Sequence, residues 1–335
     1  MSSRRWLVVT IATVLAAVAL VVGVNAALDV YGLFRDPAGR ALPVYGNERV
    51  AKYLLGRRYV RANFDGVLIG SSVSANWSVG AMPSARLYNE SVNGGNIVEE
   101  KALLDQVLES GEPGLALLVV HPFLTASHES NSLTLTPREY WGALGSLNLL
   151  DAYKNALKIR LHREQQVFDV AGTQDFGDGT KKLNARLQAM MLGSADFEID
   201  AVALQSYREV VAALHERRVP VGFVIPPTQE SIFAPKREAF RKYVSLILAD
   251  RSPEDRVLDF NADEFAHFRA DAANFSDGVH LRVAGARTVT AVVDDRLKTW
   301  IANGWLKRPQ RPHEAGQRRS AHLINLGAAT QTSGH

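Results

Sequence analysis

Three short polar stretches of this 335-residue chain hold the serine, histidine and aspartate side chains that can do covalent chemistry. Ile69-Gly70-Ser71-Ser72 closes an apolar run in a tight turn, where a serine hydroxyl can point outward among backbone N–H groups. Asn89-Glu90-Ser91-Val92-Asn93-Gly94-Gly95-Asn96 is a polar loop directly ahead of a helical pattern. Glycine there lets N–H groups approach a substrate oxygen, as an oxyanion hole requires. Phe275-Ser276-Asp277-Gly278-Val279-His280-Leu281 sets Asp277 three residues before His280. A carboxylate so placed can hold an imidazole while the other ring nitrogen faces a serine. The combined chemistry is acyl transfer through a serine nucleophile. Alone, Gly-Ser-Ser is a common turn and Asp-x-x-His a common capped loop. Their order, and their placement at strand ends, carries the expectation.

Other residues compete. Ser71 stands beside Ser72 as an alternative nucleophile, and Asp259 and Asp263 are alternatives to Asp277. His121, Thr228 and Gln229 follow apolar runs and are candidate substrate contacts; the rival roles are a structural histidine beside Pro122 and a cap on the next helix. Trp77, Tyr140 and Trp141 could stack on sugar rings, with core packing as the simpler role. His267 and His280 lie near several aspartates, but no His-x-x-x-His or Asp-x-Asp spacing supports a metal site. With no cysteine, the chain has no disulfide, no thiolate-bound cluster and no thiol nucleophile. No cofactor is expected.

The elements that must position these residues alternate in type. Gly66 to Ile69, Leu115 to Val120, Val219 to Ile225 and Val257 to Phe260 are short apolar runs that read as buried strands. Helical patterns cover Glu48 to Arg57, Asn96 to Ser110, Ala201 to Arg218, Pro235 to Leu248 and Val283 to Trp300. Alternating buried strands and helices predict an α/β fold, a parallel sheet covered on both faces. Active groups of such sheets lie beyond the carboxyl ends of the strands. That rule points to the loops at 70–72, 121–126 and 226–229. Between residues 125 and 199 the rhythm breaks, and the stretch reads as an insertion or cap, with helix from Leu149 to Arg160 and a Gly/Asp-rich patch at 172–179.

Trp6 to Leu28 contains no charged residue and is long enough to cross a hydrocarbon core as a helix. A cleaved signal peptide is the alternative, but the apolar run exceeds the usual signal h-region. The expected organisation is a membrane anchor over 1–28, a connector over 29–60 and an enzyme-like domain over 61–305. A disordered basic tail over 306–335 completes it. Arg4 and Arg5 supply +2 of the net +3 and the tail +4, so the body carries −3 and a nucleic-acid surface is not expected.

The segments VLIGSSVSANW, LYNESVNGGNIVEE and NFSDGVHLRVAGA resemble the blocks of the SGNH (GDSL-like) hydrolase superfamily. Within it they are most similar to membrane-anchored polysaccharide O-acetylation proteins of the AlgJ/AlgX type, and more distantly to DltD. The resemblance spans roughly Asn63 to Leu297 outside the insertion. It implies a three-layer α/β sandwich, with Ser72 as nucleophile, Asp277 and His280 as its partners, and the N–H groups of Ser72 and Gly94 as oxyanion donors. One block departs: where the superfamily has Gly-x-Asn, this chain has His121-Pro122-Phe123. The asparagine donor is missing at its usual place, so either another group supplies that hydrogen bond or the site is weaker, and one such donor is worth ~10²–10³ in rate. The activity the resemblance implies is transfer of an acyl group, acetyl by the same likeness, to or from a cell-surface polysaccharide. The implied setting is a bacterial inner membrane, with the domain in the periplasm or cell exterior and a multi-pass membrane acyltransferase as partner. A plain esterase or lipase, and a non-catalytic glycan-binding or assembly subunit, are the rival readings.

Overall fold

A computed structural model describes residues 2–126, 135–179, 185–193 and 196–306. The basic tail beyond Leu306 lies outside the described residues. Five strands form one parallel sheet: β1 (Gly66–Ile69), β2 (Leu87–Asn89), β3 (Ala116–Val119), β4 (Val221–Ile225) and β5 (Arg256–Asp259), in spatial order β2-β1-β3-β4-β5. The expected α/β class with a covered parallel sheet is the observed one. Side chains alternate along each strand, as the pleat demands. Val67, Ile69, Leu118 and Phe223 enter one core with the helices Glu48–Leu55, Ile97–Glu109, Ala201–Glu216 and Arg237–Ile247. Leu68, Leu117, Val119 and Val224 enter a second core beneath the helix Val283–Ala302.

The strand β2 is an addition to the sequence reading. At three residues it is too short to show a period, and Asn89 at its end looks like the start of a loop. Residues 29–60 also do more than connect. Tyr31, Leu42, Val44 and most of the helix Glu48–Leu55 are buried in the first core.

Chain order around the sheet reverses at β1 and β3: the chain leaves β1 to build β2 on one side and returns to build β3 on the other. In open α/β sheets this switch opens a crevice at the carboxyl ends of those two strands. The turn at Ser71-Ser72 follows β1 and His121 follows β3.

The N-terminal helix Ser3–Leu28 is long and apolar enough to cross a membrane. Thr10 and Thr13 return their hydroxyls to the carbonyls of Trp6 and Val9, at 3.0 and 2.8 Å, so neither hydroxyl is left unpaired. Asp29 ends the helix in a left-handed conformation (φ 46°). Its carboxylate accepts from the N–H groups of Leu33 (2.7 Å) and Arg35 (3.0 Å) and pairs with Arg40 (2.7 Å).

Candidate active site

The turn after β1 exists because Gly70 has no side chain. A Cβ there would lie 2.4 Å from Ser74 Oγ and 2.9 Å from Val119 Cβ. Ser74 N–H closes the turn on the Ser71 carbonyl at 3.1 Å, and Ser71 pairs with Val92 in a parallel bridge that brings the loop after β2 alongside. The two serines have different fates. Ser71 is 1% exposed and its hydroxyl has no partner among the described residues. Ser72 is half-buried, and its Oγ lies 2.8 Å from His280 Nε2.

His280 is held from behind. Its Nδ1 is 2.7 Å from Asp277 Oδ2, while its own N–H and that of Val279 donate to Asp277 Oδ1 at 2.8 and 3.2 Å. Burial alone would raise the Asp277 carboxyl. The hydrogen bond and charge of His280 and the two N–H groups outweigh it and hold that carboxyl below its ordinary value. The loop is then tied to its neighbours. Gly278, at φ +94°, turns its carbonyl to accept from Gln229 N–H at 2.8 Å, and Asn76 Nδ2 donates to the Leu281 carbonyl at 2.8 Å. The structure thus gathers Ser72, His280 and Asp277 into one hydrogen-bonded chain.

The second loop is fixed at both ends. Asn96 caps the helix Ile97–Glu109 in a capping box with Glu99, and Arg49 bridges Glu99 (2.7 Å) and the Asn93 carbonyl (2.8 Å). Gly94 between them is exposed at φ +59° with open space around it. Neither its N–H nor that of Ser72 has an acceptor among the described residues.

Asn89, which the sequence reading passed over, is the staple between the two loops. Its Nδ2 faces the carbonyls of Ser74 (2.9 Å), Trp77 (3.1 Å) and Ala75 (3.3 Å), and its Oδ1 accepts from Ser91 N–H at 3.0 Å. Only its position at the head of the polar loop could have drawn attention to it. Below it lies a buried ionisable cluster. Lys52 Nζ donates to the Ser91 carbonyl at 2.6 Å and stands 3.6 Å from Glu48. Burial pushes the neighbouring Glu90 carboxyl up to about 8, against the opposing charge of Lys52.

His121 follows β3 and is buried. Its Nδ1 accepts from Phe123 N–H at 3.2 Å, so the neutral ring carries its proton on Nε2. That Nε2 is buried and has no partner among the described residues. Burial, and secondarily the nearby charge of His280, lowers the ring to about 3. His121 is therefore a neutral donor near the triad with no acceptor among the described residues.

The remaining candidates fall elsewhere. Gln229 is partly exposed beside Gly278, whereas Thr228 is fully buried, with its N–H on Asn261 Oδ1 at 3.1 Å, and offers no surface to a substrate. Asp259 accepts from Asn261 N–H at 2.8 Å and Asp263 pairs with Arg237, so neither backs His280. Trp77 is buried in the second core. Tyr140 packs under Arg57, and Trp141 stands exposed. No group of three metal-ligating side chains occurs among the described residues.

From the stretch expected to be an insertion, residues 166–176 run along the site. Gln174 N–H donates to the Ala75 carbonyl at 2.7 Å, Asn93 Nδ2 donates to Gln174 Oε1, and the Phe176 ring meets His280 edge-on at 6.4 Å. A cavity of about 310 Å³ opens there, lined by Asn76, Gln166, Gln174, Phe176 and Arg287 among others.

No protein-family model and no curated relative matches the chain. Among solved structures, a Streptococcus pneumonia protein named for platelet activating factor superposes with a TM-score of 0.43 at 10% identity, covering 75% of this chain and 91% of that one. A lipase/acylhydrolase from Enterococcus faecalis gives a TM-score of 0.38 at 12% identity, covering 73% and 98%.

Proposed function

We propose that the chain is a serine-dependent acyl-transfer enzyme, tethered to a membrane by its N-terminal helix, that adds acetyl groups to or removes them from a cell-surface polysaccharide. The observation that carries the reading is the unbroken chain from Ser72 Oγ through both nitrogens of His280 to Asp277, at 2.8 and 2.7 Å. The polysaccharide and the extracytoplasmic setting rest on the resemblance of the three sequence blocks. The cavity beside Phe176 offers Asn76, Gln166, Gln174 and Arg287 as hydrogen-bonding groups for a hydroxyl-rich acceptor.

In the proposed reaction Ser72 Oγ attacks the acyl carbonyl carbon and its proton passes to His280 Nε2. Asp277, held ionised, keeps the other ring proton on Nδ1 and stabilises the imidazolium. The carbonyl oxygen becomes an oxyanion, which the N–H groups of Ser72 and Gly94 and the Nε2–H of His121 stabilise. Collapse breaks the bond to the leaving alcohol, which takes the proton from His280. An acceptor hydroxyl then attacks the acyl-serine with the same histidine as base. Water at that step gives hydrolysis instead. His121 thus answers for the absent asparagine.

The test is labelling of the full chain with a serine-reactive phosphonate, alongside turnover of a chromogenic acetyl ester. Ser72→Ala should lose both, with turnover falling by roughly 10⁴ or more. Ser71→Ala should keep both and lose no stability, since its hydroxyl is buried unpaired. Absence of any adduct on the folded wild type would overturn the enzyme reading and favour a glycan-binding role. Release of acetate unaffected by added oligosaccharide would favour a plain esterase.

A further inference from the structure

The helix Leu147–Arg160 buries Leu149 and Ala152 in the first core and turns a second apolar stripe outward. Leu147, Leu150, Leu157 and Leu161 recur at helical spacing, and each is more than half exposed, Leu147 at 80%. Lys154 continues the stripe between them. Trp141, 75% exposed, stands just ahead of the helix. Solitary exposed leucines are ordinary, but a contiguous row ending in an exposed tryptophan marks an interaction surface.

Its location says what covers it. Asn25, the buried polar residue near the end of the N-terminal helix, donates from Nδ2 to the Leu144 carbonyl and accepts at Oδ1 from Tyr153 hydroxyl at 3.0 Å. A Cβ on Gly145 would lie 3.3 Å from Val21 Cγ1. At 1.5 Å rise per residue, Val21 and Asn25 lie about 10 and about 5 Å short of the end of the apolar segment at Leu28. In a helix that crosses a bilayer, Asn25 then lies near the boundary between acyl chains and headgroups, and Val21 one turn further in, among the acyl chains. The corner at 144–146 is clamped to this level, so the stripe leaves from the membrane surface itself. Residues 147–164 carry four basic side chains against two acidic ones, and Lys154 is long enough to keep its charge among headgroups while its stem lies with the leucines. A basic helix with an outward apolar stripe and an exposed tryptophan just ahead of it suits an interfacial site.

We propose that the outward face of the helix Leu147–Arg160, with Trp141, lies in the headgroup–acyl boundary of the bilayer that the N-terminal helix crosses, so that the domain rests on the membrane at two points. Leu147 and Leu150, nearest the clamp, enter deepest, and Leu157 and Leu161 less. The proposal rests on the reading of residues 3–28 as a retained span, not on the acyl-transfer reading.

The chain contains no cysteine, so single cysteines report cleanly. Val14→Cys, Leu147→Cys, Leu150→Cys, Leu157→Cys and Val202→Cys are spin-labelled in the full chain, one copy per nanodisc of mixed neutral and anionic phospholipid. Accessibility to oxygen is compared with accessibility to a water-soluble nickel chelate. Labels at 147 and 150 should favour oxygen several-fold over the label at 202, which sits on the exposed face of the helix Ala201–Glu216, with 157 intermediate. Nickel accessibility at 147 and 150 equal to that at 202, while the label at 14 is in lipid, overturns the proposal and leaves the span intact. Shielding from both reagents would mean a protein partner covers the stripe, and also overturns it. A label at 14 that is itself in water removes the span, and the proposal with it.

Discussion

Replacing His121 by phenylalanine removes one N–H while keeping a flat ring of similar size. The buried Nε2–H has no partner among the described residues, so its loss costs the resting fold little; deleting an unsatisfied buried donor returns about 1–3 kcal/mol of desolvation. Loss of the ring nitrogen that accepts from Phe123 N–H costs about 1 kcal/mol, as for other caps. Stability should therefore change little. Turnover should not: one oxyanion donor is worth ~10²–10³ in kcat, or about 2.7–4 kcal/mol of transition-state energy. Because the ring is lowered to about 3, it stays neutral throughout the working range. The loss should be the same factor at every pH between about 5 and 8, with KM little changed. His121→Asn, which restores an N–H on a shorter side chain, should recover part of the rate. The assay is steady-state hydrolysis of a chromogenic acetyl ester by the full chain in detergent, with thermal unfolding measured on the same samples. A folded His121→Phe variant that keeps kcat within about threefold of wild type, while His280→Ala loses it, would refute the assignment.

Two further outcomes follow from the loops beneath the site. Asn89→Ala frees three buried carbonyls at once, and should cost about 2–4 kcal/mol in urea unfolding and lower kcat through the loosened Ser72 turn; Asn89→Asp, which turns an acceptor toward those carbonyls, should be worse. Burial keeps the Glu90 proton on to about 8 in the folded chain against an ordinary value of 4.5, so the native state binds the extra proton between those values and loses stability as pH rises through them, by up to about 1.4 kcal/mol per pH unit. His121 acts oppositely: its native value of about 3 against 6.5 means stability is lost as pH falls below 6.5, and the two offset between 4.5 and 6.5. Urea midpoints should therefore fall from pH 6.5 to 8 in wild type and fall less in Glu90→Gln; identical slopes would contradict the buried carboxylic acid.

Much of the architecture was legible because strands buried on both faces write themselves as unbroken apolar runs, as Val67-Leu68-Ile69 and Leu115 to Val120 do. The meeting of Ser72 with Asp277 and His280, 208 residues apart along the chain from serine to histidine, was legible only through the likeness of three motifs, since spacing says nothing at that separation. What stayed hidden was short or relational. β2 offers three residues and no period. Asn89 looks like any polar loop residue until its three carbonyl partners are in place. His121 is a lone histidine whose meaning lies in a tautomer fixed by Phe123 and in a proton left without a partner. The outward stripe from Leu147 to Leu161 has helical spacing in the sequence, but only the burial of Leu149 and Ala152 on the opposite side shows that it is surplus to the core.

The clasp at Asn25 has a mechanical corollary. A flexible tether lets a catalytic head explore a volume whose radius grows with the square root of its length. Here the chain passes from the apolar helix to Asp29, which holds the N–H groups of Leu33 and Arg35 and the guanidinium of Arg40, and straight into the first core, with no slack between. Under the proposed function, Ser72 would be a stylus on a short arm, working at one standoff from the lipid, and a long polymer would have to be drawn past it rather than be sought out.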